Sequence, residues 1–320
     1  MEINQNAVLP VTGSGTKIHA VSRHKWKSNT LPALITVGPV TLWLAFFVAV
    51  PLVYVAVMSF CSIDSYYNVV FKFTLDNYAR LLDINYVKIY GQSFLIAFAS
   101  TAISILLAYP FSYLIARTKS HKKMLYYILV IIPFWTNSLI RIYGWRTFLG
   151  KYGWLNSALM ALHLIQKPAD FLYNRGTTIL GMVYCLFPFM VLPLYTSIEK
   201  LDENLLEASA DLGARKLPTL FHVILPLTAG GIFSGCIMVF IPTLGYFSFG
   251  GGVPTLGYFF VSDILGGGNA DVIGNLIERQ FQSGNNWPLG SALSIILIVI
   301  TLVLVKTYQK CGGSMENFGA

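Results

Sequence analysis

Glu207-Ala-Ser-Ala-Asp-Leu-Gly213, followed ten residues on by Val223-Ile-Leu-Pro226, is a charged, glycine-punctuated stretch set between two long apolar segments. In so hydrophobic a chain, a charged loop of this kind marks a docking surface for something in the aqueous phase. The plainer alternative is a surface amphipathic helix joining two spans, with Gly213 as its C-cap and Pro226 opening the next helix. Residue types alone leave these two readings level. The full spacing, an acid, then glycine six residues later, then an aliphatic-x-Leu-Pro closure, favours docking.

Outward from this loop the chain is apolar. Of its 320 residues, 55% are hydrophobic and 11% charged, with a mean hydropathy of +0.62. Soluble domains carry about a quarter charged residues, so this chain belongs in a bilayer. Stretches free of acidic and basic side chains run from about Leu31 to Ile63, Gln92 to Ala116, Met124 to Ile140, Gly176 to Ile198, Leu227 to Ser262 and Trp287 to Val305. Each supplies the roughly 17–25 residues a helix needs to cross about 30 Å of hydrocarbon. The expected fold is an all-α membrane protein of six transmembrane helices, the third short unless it continues past Arg141.

Basic residues set the orientation. With the N-terminus inside, Lys17, Arg23, Lys25, Lys27, Arg117, Lys119, Lys122, Lys123, Lys200, Arg215, Lys216, Lys306 and Lys310 lie on the cytoplasmic side, thirteen of the 22 Lys and Arg. Arg141, Arg146, Lys151, Lys167 and Arg175 weaken that bias without reversing it. Both termini are therefore expected inside, which places the Glu207 loop in the cytoplasm. The net charge of +8 is accounted for by these anchors beside the spans rather than by a nucleic-acid surface.

Residues 1–30 read as an uncleaved polar cytoplasmic tail, because the apolar run behind them is too long for a signal-peptide core. Residues 309–320 form a second such tail, and 31–308 form the membrane domain. Gly13-Ser-Gly-Thr-Lys17 lacks the spacing of a phosphate-binding loop, so the chain itself is not expected to hydrolyse ATP. Cys61, Cys185, Cys236 and Cys311 show no paired spacing and read as small core residues. No catalytic set and no metal-ligand cluster is expected.

Within the membrane domain, Pro133-Phe-Trp-Thr-Asn-Ser-Leu-Ile-Arg-Ile-Tyr-Gly-Trp145 is the most polar stretch at membrane depth. The connection behind it, to about Arg175, leaves room for a short interfacial helix. Pro188, Pro193 and Pro242 interrupt the fourth and fifth spans. Proline frees backbone carbonyls that protein or a water-lined cavity must satisfy, which suggests a conduit, although membrane helices tolerate proline in any case. Pro242-Thr-Leu-Gly-Tyr-Phe247 recurs unchanged as Pro254-Thr-Leu-Gly-Tyr-Phe259. Residues 242–259 read as a local tandem duplication forming an external insertion.

The loop resembles the EAA loop of permease subunits in bacterial ABC importers, with Ser209 where that family usually has alanine. Phe73-Thr-Leu-Asp-Asn-Tyr78, the Pro133 to Gly144 segment, Pro188-Phe-Met-Val-Leu-Pro193, Leu206 to Ala214 and Asn286-Trp-Pro-Leu-Gly290 together resemble spermidine/putrescine permeases of the PotB/PotH type. The resemblance implies a type I ABC importer permease (MetI-like) fold in the bacterial cytoplasmic membrane. Its coupling loop would span 199–226 and fold as two short helices turning at Gly213. Glu207, Ala208, Asp211, Gly213, Leu225 and Pro226 would engage the ATPase.

The partners so implied are a second permease subunit of the PotC/PotI type, two copies of a PotA/PotG-like ATPase, an extracytoplasmic polyamine-binding protein, and membrane lipid. ATP and Mg²⁺ would sit on the ATPase, with no cofactor on this chain. Uptake would follow alternating access.

A path for a polyamine should offer aromatic faces to ammonium groups and few fixed charges that would trap a polycation. Trp135, Asn137, Tyr143, Trp145, Tyr184 and one of the Tyr246 and Tyr258 copies are the candidates, against lipid-belt anchoring or helix packing for each aromatic. Arg141 would repel a polyamine if it faced the path, and is expected to serve as an external-end anchor or to contact the receptor. Asp263 and Glu278 are expected in the outer segment, attracting cations or meeting the receptor, or simply solvated.

A secondary transporter would favour an acid or histidine within a span, and none is found. A channel or a membrane enzyme lacks its motif. Iron, thiamine, sulfate or phosphonate remain as rival cargoes.

Overall fold

The computed structural model describes residues 30–118, 120–245 and 259–310. Both terminal tails, apart from the residues at their inner edges, lie outside that range. So do Lys119, Tyr246, Tyr258 and most of the duplicated segment.

The chain is helical almost throughout. In order come α1 (Thr30–Ser59), α2 (Asp76–Arg80), α3 (Ile84–Ala116), α4 (Ser120–Ile131), α5 (Ser138–Leu149), α6 (Trp154–Ala161) and α7 (Arg175–Glu199). They are followed by α8 (Glu203–Asp211), α9 (Lys216–Thr219), α10 (Leu225–Leu227), α11 (Ala229–Thr243), α12 (Phe259–Val261), α13 (Ile273–Gln282) and α14 (Trp287–Lys310). One two-stranded antiparallel ribbon, β1 (Ser62–Ile63) with β2 (Val69–Val70), pairs Ser62 with Val70 and Ile63 with Val69.

Among the described residues, four helices are long and apolar enough to cross a membrane: Val37–Ser59, Ile84–Ala116, Arg175–Glu199 and Trp287–Thr307. Two bent pairs, His121–Trp135 with Ser138–Ala161 and Lys216–Leu227 with Ala229–Thr243, bring the total to six when each is one span. Three helices depart from the charge-free stretches read in the sequence. The second span starts at Ile84, where the Asp83 carboxylate caps the helix by accepting from the Asn85 N–H at 2.9 Å.

The third is broken before Arg141, which lies on α5 after the break. Pro133 cannot donate to the helix ladder; a 3₁₀ turn over Ile132–Trp135 follows, and the chain bends by 89° before α5. The fifth ends at Thr243, the residue after Pro242, rather than reaching Ser262.

By internal contacts the chain divides after Pro51. In the first unit, α1 carries exposed apolar side chains such as Leu42, Trp43, Phe46 and Phe47, the pattern of a helix apolar all round. In the second unit, α7 packs along both α3 and α11. Leu186, Met190 and Leu194 of α7, Ala108 and Ile115 of α3, and Val239 of α11 are buried together. Ser112 Oγ of α3 donates to the Val191 carbonyl of α7, between the two prolines, at 3.2 Å.

A second cluster joins α13 and α14 through Ile273, Ile277, Leu289 and Leu293. The Phe73 to Tyr78 motif closes the end of α1. Buried Asn77 donates to the Ser59 and Cys61 carbonyls at 3.0 and 2.8 Å, and the Tyr78 hydroxyl meets Ser59 Oγ at 2.8 Å.

Candidate functional site

The charged loop folds into α8, a turn, α9, a π-turn over Leu220–Ile224, and α10. Asp202 caps α8, accepting from the Asn204 N–H at 3.0 Å. Glu203 in the first turn complements the positive end of the helix. The helix closes as a Schellman motif: the Gly213 N–H bonds the Ala210 carbonyl at 2.9 Å, and the Ala214 N–H bonds the Ser209 carbonyl at 3.1 Å. Gly213 has φ +77°, and nothing stands within 4 Å of where a Cβ would be. Glycine is demanded there by the backbone alone.

The loop has a fastened face and an open one. Leu201, Leu206, Leu220 and Leu225 pack against the α3–α7–α11 core, where Ile224 is buried. Glu207, Ala208, Asp211, Gly213 and Pro226 are exposed. Among the described residues neither Glu207 nor Asp211 has an ion-pair partner. Two ion pairs tie the start of the loop to its neighbours: Arg117 at the end of α3 to Glu203 at 3.0 Å, and Lys123 of α4 to Glu199 of α7.

The far end of the loop is anchored at Thr228, at the 70° bend into α11. The Thr228 hydroxyl donates to the Ile224 carbonyl at 2.8 Å and receives the Tyr109 hydroxyl of α3 at 3.0 Å.

Ser209, 8% exposed, meets the Thr219 hydroxyl at 2.8 Å and so pins α8 to α9. Thr219 also bonds the Arg215 carbonyl at 3.1 Å, so Ser209→Ala leaves no hydroxyl stranded. We expect this substitution to cost about 1 kcal/mol. Amide exchange across the Ala210 to Gly213 turn should quicken about five-fold, read by hydrogen exchange on the assembled protein. Unchanged exchange would show that the pin does not hold the turn.

The membrane-depth candidates separate into distinct places. Trp135 is 84% exposed at the 89° bend. Asn137 serves as the N-cap of α5, its side-chain oxygen accepting from the Leu139 N–H at 2.8 Å. Tyr143 borders an open cavity of about 810 Å³ with Lys151, Asp170 and Arg146, whose guanidinium lies 5.9 Å from the Tyr143 ring centre.

Trp145 and Tyr184 instead meet edge to face, with ring centres 5.6 Å apart, on a mostly aliphatic cavity of about 610 Å³ between α3, α4, α5 and α7. Arg141 lines that same cavity. It is half-buried, with its guanidinium 5.5 Å from the Phe134 ring centre and 5.7 Å from that of Tyr184. With no carboxylate in reach among the described residues, two aromatic faces are what its charge has for company.

Asp263 and Glu278 are not free, solvated acids. The Asp263 carboxylate accepts from the Asn275 amide at 2.7 Å and lies 3.7 Å from Arg279, which is held by Asp271 at 2.9 Å. Burial pushes the Asp263 carboxyl above its ordinary range, with Arg279 and Asn275 pulling it back. Glu278 is raised by burial and then by the Asp263 charge.

Sequence reasoning missed Tyr109 and Thr228, which carry no local signature. It also missed Gly231 and Gly235, where α11 lies so close to α7 that a Cβ would fall 2.4 Å from Ser197 Cβ or 2.6 Å from Met190 Sδ. Their Gly-x-x-x-Gly spacing is a readable signal of close helix packing.

Comparison with known proteins agrees with this architecture. The chain is 42% identical over 268 residues to the spermidine/putrescine transport system permease protein PotB of Escherichia coli K12, covering 84% of this chain and 93% of that one. It is 40% identical over 276 residues to the Haemophilus influenzae PotB, covering 86% and 92%.

Its fold is shared with a chain of a bacterial ABC transporter involved in the import of the acidic polysaccharide alginate, with a TM-score of 0.64 at 19% identity over 88% of this chain and 94% of the other. The MetI-like permease fold expected from the sequence is thus the one observed. Residues 93–308, from α3 to α14, match the model of the binding-protein-dependent transport system inner membrane component, and the chain belongs to that family.

Proposed function

We propose that this chain is a transmembrane permease subunit of an ATP-driven importer that carries spermidine or putrescine across the bacterial cytoplasmic membrane. One observation carries the cargo: relatives that match over 92% and 93% of their own length are spermidine/putrescine permeases. The open face of α8 supports the drive. Glu207 and Asp211, four residues apart on one helix face, offer unpaired carboxylates to basic groups of an ATPase. Leu206, Leu220 and Leu225 connect that face to the core of α3, α7 and α11.

In this reading both termini are cytoplasmic, and ATP and Mg²⁺ belong to two copies of a PotA/PotG-like ATPase. A PotC/PotI-like second permease and an extracytoplasmic polyamine-binding protein complete the assembly. The loaded receptor docks outside, ATP closes the motor dimer, and the loop passes that closure through Thr228 and Tyr109 to α11 and α3. Trp135 and Tyr143, both exposed on this chain, offer aromatic faces to a passing ammonium group. Asp263 and Glu278 stand near the outer entrance.

The test is uptake of labelled spermidine and putrescine into vesicles carrying the complete assembly. ATP-dependent accumulation of either amine is expected. Sustained ATP hydrolysis with no uptake of either would remove the polyamine assignment while keeping the importer.

A further inference from the structure

An arginine at membrane depth is costly unless something compensates its charge, and Arg141 has an unusual compensation. No carboxylate or hydrogen-bond acceptor meets its guanidinium among the described residues, and its Nε is buried without a partner. Instead it lies over the rings of both Phe134 and Tyr184, at 5.5 and 5.7 Å from their centres. That is the arrangement in which aromatic faces receive an organic cation.

The walls of this box are braced independently of Arg141. Phe134 is held edge to face by Phe189, with centres 5.1 Å apart, and Tyr184 by Trp145 at 5.6 Å. The box therefore persists if the guanidinium leaves. Beside it lies the cavity of about 610 Å³, walled by Ile103, Leu107 and Leu180, with Arg141 as its one charged lining group. Aliphatic walls suit methylenes and aromatic faces suit an ammonium. The box supplies none of the oxygen ligands a hard metal ion requires.

We propose that Arg141 is a tethered cation that keeps the Phe134–Tyr184 box closed, and that the ammonium group of a transported amine takes its place. The proposal rests on the polyamine reading for its cargo but not for its geometry. Phe134 lies just before the 89° bend, Arg141 on the helix just after it, and Tyr184 on α7. A change in that bend draws the guanidinium out of the box, and its return repels the bound ammonium. Arg141 thereby excludes small cations at rest and keeps substrate binding weak enough to release.

The test uses the complete assembly in vesicles, without receptor or ATP, and follows passive leak of labelled putrescine and of methylammonium. Arg141→Gln should raise both leaks about ten-fold, and Arg141→Lys, which keeps a cation, should stay near wild type. Adding Tyr184→Leu to Arg141→Gln should return the leak to the wild-type level. If Tyr184→Leu fails to assemble, Phe134→Leu reads the box from its other wall.

Leak unchanged in Arg141→Gln, or raised equally with and without the box ring, overturns the proposal while leaving ATP-driven polyamine uptake standing. Box-dependent methylammonium leak, in an assembly that takes up no polyamine with receptor and ATP, removes the cargo and keeps the tethered cation.

Discussion

Gly213→Val is expected to cut ATP-driven uptake by the assembled importer about ten-fold, whereas Gly213→Asn retains most of it. The reason is conformational. Gly213 sits at φ +77° with open space where a Cβ would go, so no neighbour within the chain resists a side chain. What resists is the left-handed backbone, which costs an ordinary L-residue roughly 1–2 kcal/mol, and a β-branched one at least that.

Asparagine tolerates this region and replaces glycine at such caps. A penalty of that size shifts an equilibrium by a factor of about 5–30, here from the Schellman turn toward a continued α8 that carries Thr219 of α9 off Ser209. The pair of variants also separates two explanations. Valine and asparagine are similar in size, so if the ATPase simply left no room at this position, both would fail. Uptake lost with valine and kept with asparagine assigns the glycine to the turn. ATPase activity that stays high in Gly213→Val while uptake falls would place the loss in transmission rather than in assembly.

The two-helix shape of the charged loop was legible in the sequence because its signals are local. Two carboxylates one turn apart and a glycine at the turn each act within a few residues, whereas the Asp202 cap was not read. The membrane class was legible for the same reason, since a span is a property of about 20 consecutive side chains. Arg141 was not. Its neighbours Phe134 and Tyr184 come from the far side of a sharp bend and from another helix, and a run of apolar residues does not say which face turns inward.

The bend itself was not read. Pro133 lay within the polar stretch assigned to the third span, and the sequence does not state an angle of 89°. The aromatic candidates divided along the same line. Trp145 and Tyr184 were chosen for residue type and met in one place, while Asn137, chosen for its depth, is spent on capping a helix. The Tyr109–Thr228 link between α3 and the loop joins residues 119 positions apart, which no spacing rule reaches.

Gly231→Leu should be more damaging still, and by a different route. Here the backbone is an ordinary helix and the obstacle is a neighbour. A Cβ on residue 231 would lie 2.4 Å from Ser197 Cβ and 2.6 Å from the Pro193 carbonyl oxygen of α7. A serine side chain can rotate, but a main-chain oxygen in a packed helix cannot, so α11 must move away from α7. That separation opens the core around Met190, Leu194 and Val239 and lifts the foot of α11 from the Thr228 anchor. Overpacking of this kind costs about 1–3 kcal/mol and more where backbone has to shift.

We expect the yield of assembled complex to fall at least about ten-fold, with the thermal midpoint of whatever assembles lowered by several degrees, measured by size-exclusion chromatography and thermal melting in detergent. Gly231→Ala should show a smaller loss. Ser197→Gly should recover only part of it, because it removes one of the two clashes and leaves the Pro193 oxygen in place. Full recovery would mean that the serine alone sets the helix separation, and no loss in Gly231→Leu would mean that α11 does not pack on α7 through this glycine at all.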